Sequence, residues 1–228
     1  GWLLNINKQL DYACNLLAKI PDIKNGFYGM GLSQGGLFIR GLKQRCAYAK
    51  PMKRLISIGG PQQGVEGIPS CNGNTTICEM VAEILSNFGI YSELVQDNIV
   101  PAEYWHDSLD LTSYLKYSAF LPDINNERAQ KNPKYKQNLL ELETFVMVKF
   151  TEDTVVFPRD SEWFGFFAPG SDTKRLEMRE TELYQKDFIG LKQLDQANKI
   201  HFLSCPTNHL RFTHTWFVDN VRQYLLTK

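Results

Sequence analysis

The sequence lacks three features that would each indicate a particular class of protein. It has no excess of either charge, because its 228 residues carry 25 Lys+Arg and 25 Asp+Glu. Such a balance gives no electrostatic footprint for nucleic acid or for an anionic membrane surface. The sequence has no apolar run near the ~18 residues that indicate a transmembrane helix, and no repeats. We therefore expect a single domain with a substantial core, over residues 1–228.

Metal-site spacing is also missing from the cysteines. None of the five cysteines forms a Cys-x-x-Cys pair, so we expect no zinc, and we expect no cofactor. Cys71 and Cys78 enclose a short polar loop that a disulfide could close, and the N-x-[ST] sequon at Asn74 lies inside it. A sequon beside a bridge of this kind favours a protein that follows the secretory route. The alternative is a cytosolic enzyme with free thiols and a chance sequon.

Residues 29–36 carry the motif from which a chemistry can be predicted. They read Gly-Met-Gly-Leu-Ser-Gln-Gly-Gly, and Gly31, Ser33 and Gly35 form the Gly-x-Ser-x-Gly pattern. In α/β-hydrolases this pattern is the nucleophile elbow, a sharp strand-to-helix turn with a strained backbone. We expect a side chain at either flanking glycine to collide with the turn. The alternative is a glycine-rich turn whose serine only caps the helix.

Strand and helix patterns surround the motif in the order that the elbow requires. Apolar runs predict buried strands over residues 26–32 and 54–60, with a helix between them from residue 35. An amphipathic helix over residues 6–19 comes before them. A helix between two short apolar runs is the βαβ pattern of a parallel sheet. The predicted fold is an α/β-hydrolase, a mostly parallel sheet flanked by helices.

The alternation of strands and helices stops over residues 61–143. Helical patterns are found in this stretch over residues 77–85, 91–99 and 135–142. We expect a helical insertion that serves as a substrate-binding cap above Ser33.

Two polar residues directly follow the later strands. Asp153 comes just after a predicted strand over residues 145–150, and His209 just after one over residues 199–205. The carboxyl ends of parallel strands form the edge where catalytic groups gather. The chain order Ser33, Asp153, His209 is that of the α/β-hydrolase triad, in which histidine is the base and the carboxylate orients it.

Other acids compete with Asp153 for the third role. Glu152 and Asp160 both lie near the same strand end. Asp153 is preferred because it is closest to the strand without belonging to it. Asp160 is expected to cap the segment that follows it.

Other histidines compete with His209 for the role of base. His201 is expected to pack within its strand, and His214 lies in a closing helix predicted over residues 212–226. His106 either shapes a pocket or packs in the interior.

The oxyanion hole is only half visible in this sequence. Its first donor is expected to be the backbone N–H of Gln34, the residue after the nucleophile. The second donor normally comes from a loop after an earlier strand, and no such strand is predicted before the elbow. We therefore expect the natural protein to extend further at its N-terminus, with at least two more strands and this second donor.

Several blocks of the sequence resemble the palmitoyl-protein thioesterases of the lysosomal type. The blocks are residues 31–36, 58–64, 102–107, 120–128, 145–150 and 160–165, together with Cys71 and Cys78. The resemblance runs over the whole chain and implies an enzyme that cleaves the thioester between palmitate and cysteine in lipid-modified proteins during lysosomal degradation. It also implies that the triad is Ser33, Asp153 and His209.

The resemblance further implies how the cysteines pair. The family's disulfides fall on Cys14 with Cys46 and on Cys71 with Cys78, which leaves Cys205 free. The chain departs from the family pattern in two respects. It lacks the family's N-terminal portion, and it has a single sequon where the family usually has several.

A long-chain acyl thioester requires an apolar groove, since burial contributes ~0.8 kcal/mol per CH₂. The candidates for its lining are Ile99, Val100, Trp105, Val155 and Val156. The alternative for each is ordinary core packing. Two other functions are weighed: a lipase or carboxylesterase of the same fold, and a non-catalytic protein that binds acyl chains.

Overall fold

The computed structural model describes residues 3–67 and 89–226. The strands in these ranges are β1 (Phe27–Leu32), β2 (Met52–Ile58), β3 (Thr144–Phe150), β4 (Phe166–Phe167), β5 (Arg175–Leu176) and β6 (Ile200–Cys205). Four of them form a parallel sheet in the order β1-β2-β3-β6. Strands β4 and β5 form a separate antiparallel pair. The four predicted strands are therefore confirmed, each within two residues at either end.

Helices flank the sheet and fill the stretch between β2 and β3. Within the described ranges they are α1 (Ile6–Leu17), α2 (Gln34–Arg45), α3 (Glu93–Asn98), α4 (Val100–Glu103), α5 (Leu111–Tyr117), α6 (Leu121–Ile124), α7 (Pro133–Leu140), α8 (Glu182–Gln185), α9 (Leu191–Gln196) and α10 (His214–Asn220). Shorter 3₁₀ turns cover Pro21–Asn25, Ala47–Ala49, Arg159–Trp163, Met178–Glu180 and Arg222–Tyr224. None of the helices in this part of the chain is long and apolar enough to cross a membrane.

Most predicted helices are present with shorter bounds. The helix predicted over 91–99 is α3, and the one over 135–142 is α7, shifted by two residues. The closing helix predicted over 212–226 is divided into α10 and a 3₁₀ turn. The helix predicted over 77–85 lies outside the described residues, as do Cys71, Cys78 and Asn74.

Strands β2 and β3 are buried on both faces, which is why they read as continuous apolar runs. Leu55 and Phe145 belong to the larger hydrophobic cluster, together with residues of α1, α2 and α7. Their neighbours Ile56 and Val146 belong to a second cluster, against which Trp216 of α10 packs. Successive side chains of a strand point to opposite faces, so the sheet lies between two helical layers.

A disulfide between Cys14 and Cys46 connects the two helices on one side of the sheet. Cys14 lies in α1, and Cys46 directly follows α2. Cys205, at the end of β6, is a free and buried thiol. The pairing implied by the family resemblance is confirmed for Cys14 and Cys46.

Candidate active site

Ser33 occupies a strained turn between β1 and α2. Its φ of 51° and ψ of −130° lie in a region that residues with a side chain rarely adopt. Its N–H donates to the carbonyl of Ile58 at 2.8 Å, which fixes the turn to the end of β2. A Cβ on Gly31 would lie 2.1 Å from the carbonyl oxygen of Gly35. The predicted collision is confirmed at Gly31.

The same prediction is wrong for Gly35. A Cβ on Gly35 would meet nothing within 4 Å in the described ranges, because this face of the first turn of α2 is not packed against them. The close approach occurs at the next glycine. A Cβ on Gly36 would lie 2.2 Å from Ser57 Oγ and 3.2 Å from the Cα of Gly60. Gly36 therefore lets the start of α2 pack against the end of β2.

A chain of hydrogen bonds joins side chains that follow three different strands. The Nε2 of His209 lies 2.8 Å from Ser33 Oγ, and its Nδ1 lies 2.5 Å from Asp153 Oδ2. An ionised carboxylate can only accept, so Nδ1 carries the hydrogen and Nε2 is left as the acceptor for the serine hydroxyl. This is the tautomer that a general base needs.

Asp153 is held as an anion by its donors. Its Oδ1 accepts the N–H groups of Val155 at 2.6 Å and of Val156 at 2.9 Å. Burial opposes ionisation of Asp153, but the hydrogen bonds from His209 and from the backbone favour the carboxylate, and its pKa is lowered. The carboxylate thus stays charged and in place to orient the imidazole.

The competing acids do not reach His209. Glu152 is exposed. Asp160 pairs instead with Lys149 of β3 at 3.5 Å and with Arg175 of β5 at 3.2 Å. The prediction that Asp160 caps the following segment is wrong, since Pro158 occupies the N-cap position and no side chain caps this turn.

Glu162 is not among the residues predicted from the sequence, yet it lies behind Asp153. Its side chain has no exposed surface, and its Oε1 is 3.9 Å from His209 Nδ1. Its Oε2 accepts the N–H of Phe150 at 2.7 Å. Burial, together with the neighbouring Asp153, raises the pKa of Glu162 to about 11. The one available signal was its place in the block of residues 160–165 that carries the family resemblance.

Asp153, Glu162 and His209 also resemble a metal site at first sight, because their ligand atoms lie within 4.8 Å of one another. The chemistry of the donors does not suit a cation. The Nδ1 of His209 is protonated towards Asp153, and a protonated nitrogen cannot coordinate a metal. A carboxyl with the raised pKa of Glu162 is also a poor ligand for a metal ion.

Of the other histidines, His106 and His201 have packing roles, whereas His214 is exposed. His106 stacks between Tyr114 at 4.1 Å and Phe166 at 4.2 Å, and burial lowers its pKa to about 4. It also lines a cavity of about 360 Å³, so both alternatives weighed for it apply. His201 packs on the ring of Tyr224, with ring centres 5.1 Å apart.

Gln34 is placed as an oxyanion donor would be. It is the first residue of α2, so its N–H has no partner within the helix and lies at the positive end of the helix dipole. Its side-chain Oε1 accepts from the hydroxyl of Tyr104 at 3.4 Å. The role of Gln34 stays a prediction.

The five candidates for the acyl groove differ in exposure. Ile99, Val100 and Val156 are 3%, 0% and 3% exposed and belong to the hydrophobic clusters. Core packing is therefore favoured for these three. Val155 is 38% exposed, and Trp105 is partly buried. These two keep surface that a ligand could contact.

The fold and the contacts of Ser33 place the protein in the class of α/β-hydrolases. The chain belongs to the palmitoyl-protein thioesterase family, since the family model described as "Palmitoyl protein thioesterase" matches residues 1–209. The resemblance of the sequence to this family is confirmed.

Individual relatives agree with this assignment. The chain is 42% identical to Palmitoyl-protein thioesterase 1 of Caenorhabditis elegans, over 99% of this chain and 75% of the relative. It is 35% identical to Palmitoyl-protein thioesterase 3 of Dictyostelium discoideum, over 90% and 68% of the two chains. It is 29% identical to the Lysosomal thioesterase PPT2 homolog of Drosophila melanogaster, over 94% and 74%.

Proposed function

We propose that this chain is a serine thioesterase that removes palmitate or a similar long acyl group from cysteine residues of proteins. Ser33 is the nucleophile, His209 the base and Asp153 the residue that orients the base. The hydrogen-bonded chain from Ser33 through His209 to Asp153 carries the proposal. The names of the relatives support the substrate class.

The first half-reaction transfers the acyl group to the enzyme. As Ser33 Oγ attacks the thioester carbonyl, His209 Nε2 takes the hydroxyl proton, and the N–H of Gln34 faces the developing oxyanion. The carbon–sulfur bond then breaks, and the proton passes from His209 to the departing sulfur. The products are a free cysteine and an acyl ester on Ser33.

The second half-reaction releases the fatty acid. A water molecule gives a proton to His209 while its oxygen attacks the acyl carbon. The ester bond to Ser33 breaks, and the same proton returns to the serine oxygen. The enzyme is restored without any cofactor entering the balance.

Chain length is selected by apolar contact, in this proposal. We assign Val155 and Trp105 to the groove, because they combine apolar surface with exposure. The helices between β2 and β3 form a cap around it within one domain. A groove that buries a long chain gains ~0.8 kcal/mol per CH₂, so palmitate is preferred to short acyl groups.

A lysosomal location is supported by the relatives that carry this word in their names. The disulfide between Cys14 and Cys46 agrees with it, because such bonds persist in proteins that pass through oxidising compartments.

The test uses protein expressed from the full-length reading frame and two matched peptides, one with S-palmitoyl cysteine and one with O-palmitoyl serine. We expect release of palmitate from the thioester peptide, and a fall of about a million-fold in kcat for Ser33→Ala. A faster reaction with the oxygen ester would favour a lipase or carboxylesterase.

Histidine variants provide the matched control. His209→Ala should lose activity almost as completely as Ser33→Ala, because both act in one unit. His214→Ala should retain it, since His214 is exposed at the start of α10. A folded protein that binds palmitate but releases none would favour the non-catalytic alternative.

A further inference from the structure

We propose that Glu162 is a neutral carboxylic acid that donates a hydrogen bond to Asp153, and that it acts as a positioning residue behind the triad. This inference rests on the triad proposed above. It adds a fourth member to the chain that begins at Ser33.

The position of Glu162 leaves one oxygen without a hydrogen-bond partner. The residue lies on the 3₁₀ turn Arg159–Trp163, which packs against β3. Its Oε2 accepts the N–H of Phe150. Its Oε1 is buried, and no N–H or O–H group in the described ranges donates to it. An acceptor oxygen left unpaired in the interior is costly. A proton on Oε1 removes the cost, because a carboxylate oxygen of Asp153 lies within 4.8 Å of the Glu162 carboxyl group and the two side chains are within hydrogen-bond reach.

Charge decides which of the two acids carries the proton. Two carboxylates in contact in a buried site do not both ionise. Asp153 receives two backbone N–H groups and the imidazole N–H, whereas Glu162 receives one backbone N–H. Lys149 is a cation that favours ionisation of Glu162, but its ammonium group is paired with Asp160 at 3.5 Å. The proton therefore resides on Glu162.

The neutral state has a consequence for His209. A second anion at 3.9 Å from Nδ1 would favour the imidazolium, which cannot accept the proton of Ser33. A neutral donor has the opposite effect: it stabilises the Asp153 carboxylate and adds no charge beside the imidazole.

Two substitutions of Glu162 distinguish the effect of its donated proton from the effect of a negative charge at this position. Glu162→Gln keeps a donor and an acceptor in the same shape and should leave kcat within about twofold of wild type. Glu162→Leu removes the donor, and we expect kcat to fall about 10- to 100-fold, the size of one hydrogen bond to a charged group, with KM unchanged. Asp160→Asn, a nearby acid paired with cations away from the triad, is the matched control and should change neither constant.

The pH profile tests the charge state directly. The acid limb of kcat/KM should be the same in Glu162→Gln as in wild type, because no charge is removed. If Glu162 is ionised, the same variant removes an anion beside His209 and moves the acid limb to lower pH. That shift, or full activity in Glu162→Leu, would overturn the inference.

A readout without turnover separates this inference from the proposed function. In the Ser33→Ala protein at pH 7, the ¹³C carboxyl signal of Glu162 is identified by its absence from the Ser33→Ala, Glu162→Gln double variant. We expect this signal to have the chemical shift of a carboxylic acid. A carboxylate signal would refute the inference even in an active thioesterase. An acid signal in the Ser33→Ala protein, together with a wild-type protein that cleaves no thioester, would refute the proposed function alone, because the protonation of Glu162 would still stand.

Discussion

Two buried polar clusters lie along α2, about two turns apart, and they differ in how they end. At the start of the helix, the chain through His209 finishes at the hydroxyl of Ser33. About two turns further on, the guanidinium of Arg40 has no exposed surface. Its four hydrogen bonds go to Gln62 (side chain and carbonyl), Gln44 and Asn125, at 2.7 to 3.0 Å. We call the first cluster open, because it ends at a hydroxyl that can react. We call the second closed, because each of the three guanidinium nitrogens of Arg40 donates a hydrogen bond.

The closed cluster supports the open one. Gln62, held by Arg40, donates to Ser57 Oγ at 2.8 Å. That oxygen is the atom that a Cβ on Gly36 would meet first, in the first turn after Ser33. In this hydrolase, therefore, one set of buried residues performs the chemistry and another holds the reacting turn in place. The buried residues around Arg40 hold the turn in position, whereas the hydroxyl of Ser33, at the end of the other cluster, is left to react.

Among the substitutions that test this comparison, we expect the largest effect, on kcat, from Asp153→Asn. It breaks the open cluster without changing the shape of the side chain. The amide can donate to His209 Nδ1, so the imidazole is held in the wrong tautomer. We expect kcat to fall about 10⁴-fold, with the urea midpoint of unfolding nearly unchanged. Steady-state kinetics with the S-palmitoyl peptide measure it, and a loss below tenfold would contradict the role of Asp153.

Arg40→Met breaks the closed cluster instead. It leaves the acceptors of Gln44, Gln62 and Asn125 without their donor, and unpaired buried groups cost about 1–3 kcal/mol each. We expect the free energy of unfolding to fall by about 3 kcal/mol or more, as measured by urea denaturation. The control is Arg222→Met at an exposed position, which should cost under about 0.5 kcal/mol. Equal losses of unfolding free energy in the two variants would show that the Arg40 cluster does not stabilise the fold.

The contact between the clusters is tested by a pair of adjacent glycines. Gly36→Ala forces Ser57 away from Gln62 and should destabilise by about 1–3 kcal/mol. Gly35→Ala meets open space within the described residues, and alanine in a helix is favoured over glycine by about 1 kcal/mol. Thermal unfolding of the two variants should therefore shift in opposite directions. A loss at Gly35 as large as that at Gly36 would contradict the packing described.

The last test concerns the pH dependence of stability, through a third buried acid, Glu103 of α4. Its two oxygens accept the N–H of Ile6 at 3.0 and 3.1 Å. Burial raises its pKa from the ordinary 4.5 to about 8. Between these values the folded state binds more protons than the unfolded state, so stability falls as pH rises through this window.

Glu103→Gln removes this titration. We expect the difference in unfolding free energy between pH 5 and pH 8 to shrink in the variant, while kcat at pH 5 is unchanged. Urea denaturation at the two pH values measures it. An unchanged difference would assign the pH dependence to other acids, such as Glu127, whose pKa burial raises to about 7.

The parts of this fold that could be predicted are those dictated by local pattern. Continuous apolar runs predicted β2 and β3, and the glycines around Ser33 predicted the strained turn. The order of Ser33, Asp153 and His209 along the chain, each after a strand, was enough to predict that they lie together. These features depend on the period of the strand and on the parallel arrangement, which a sequence displays directly.

The features that could not be predicted depend on contacts between distant segments. Arg40 and Glu162 read as ordinary charged residues of a helix and of a surface turn, and only the packed structure shows that both are buried. The choice between Gly35 and Gly36 depends on Ser57, which comes from another strand. The short strands β4 and β5 have two residues each, too few to display a period.

The disulfide has a consequence for cleavage of the chain. Cys14 and Cys46 are 32 positions apart, and the segment between them contains β1, the turn at Ser33 and α2. Suppose a protease cuts once within that segment, for example in the exposed residues 18–22. The piece that carries Ser33 would remain covalently attached to α1 until a reductant opened the bond. In a compartment rich in proteases, one cut would therefore not by itself separate the nucleophile from the helix that precedes it.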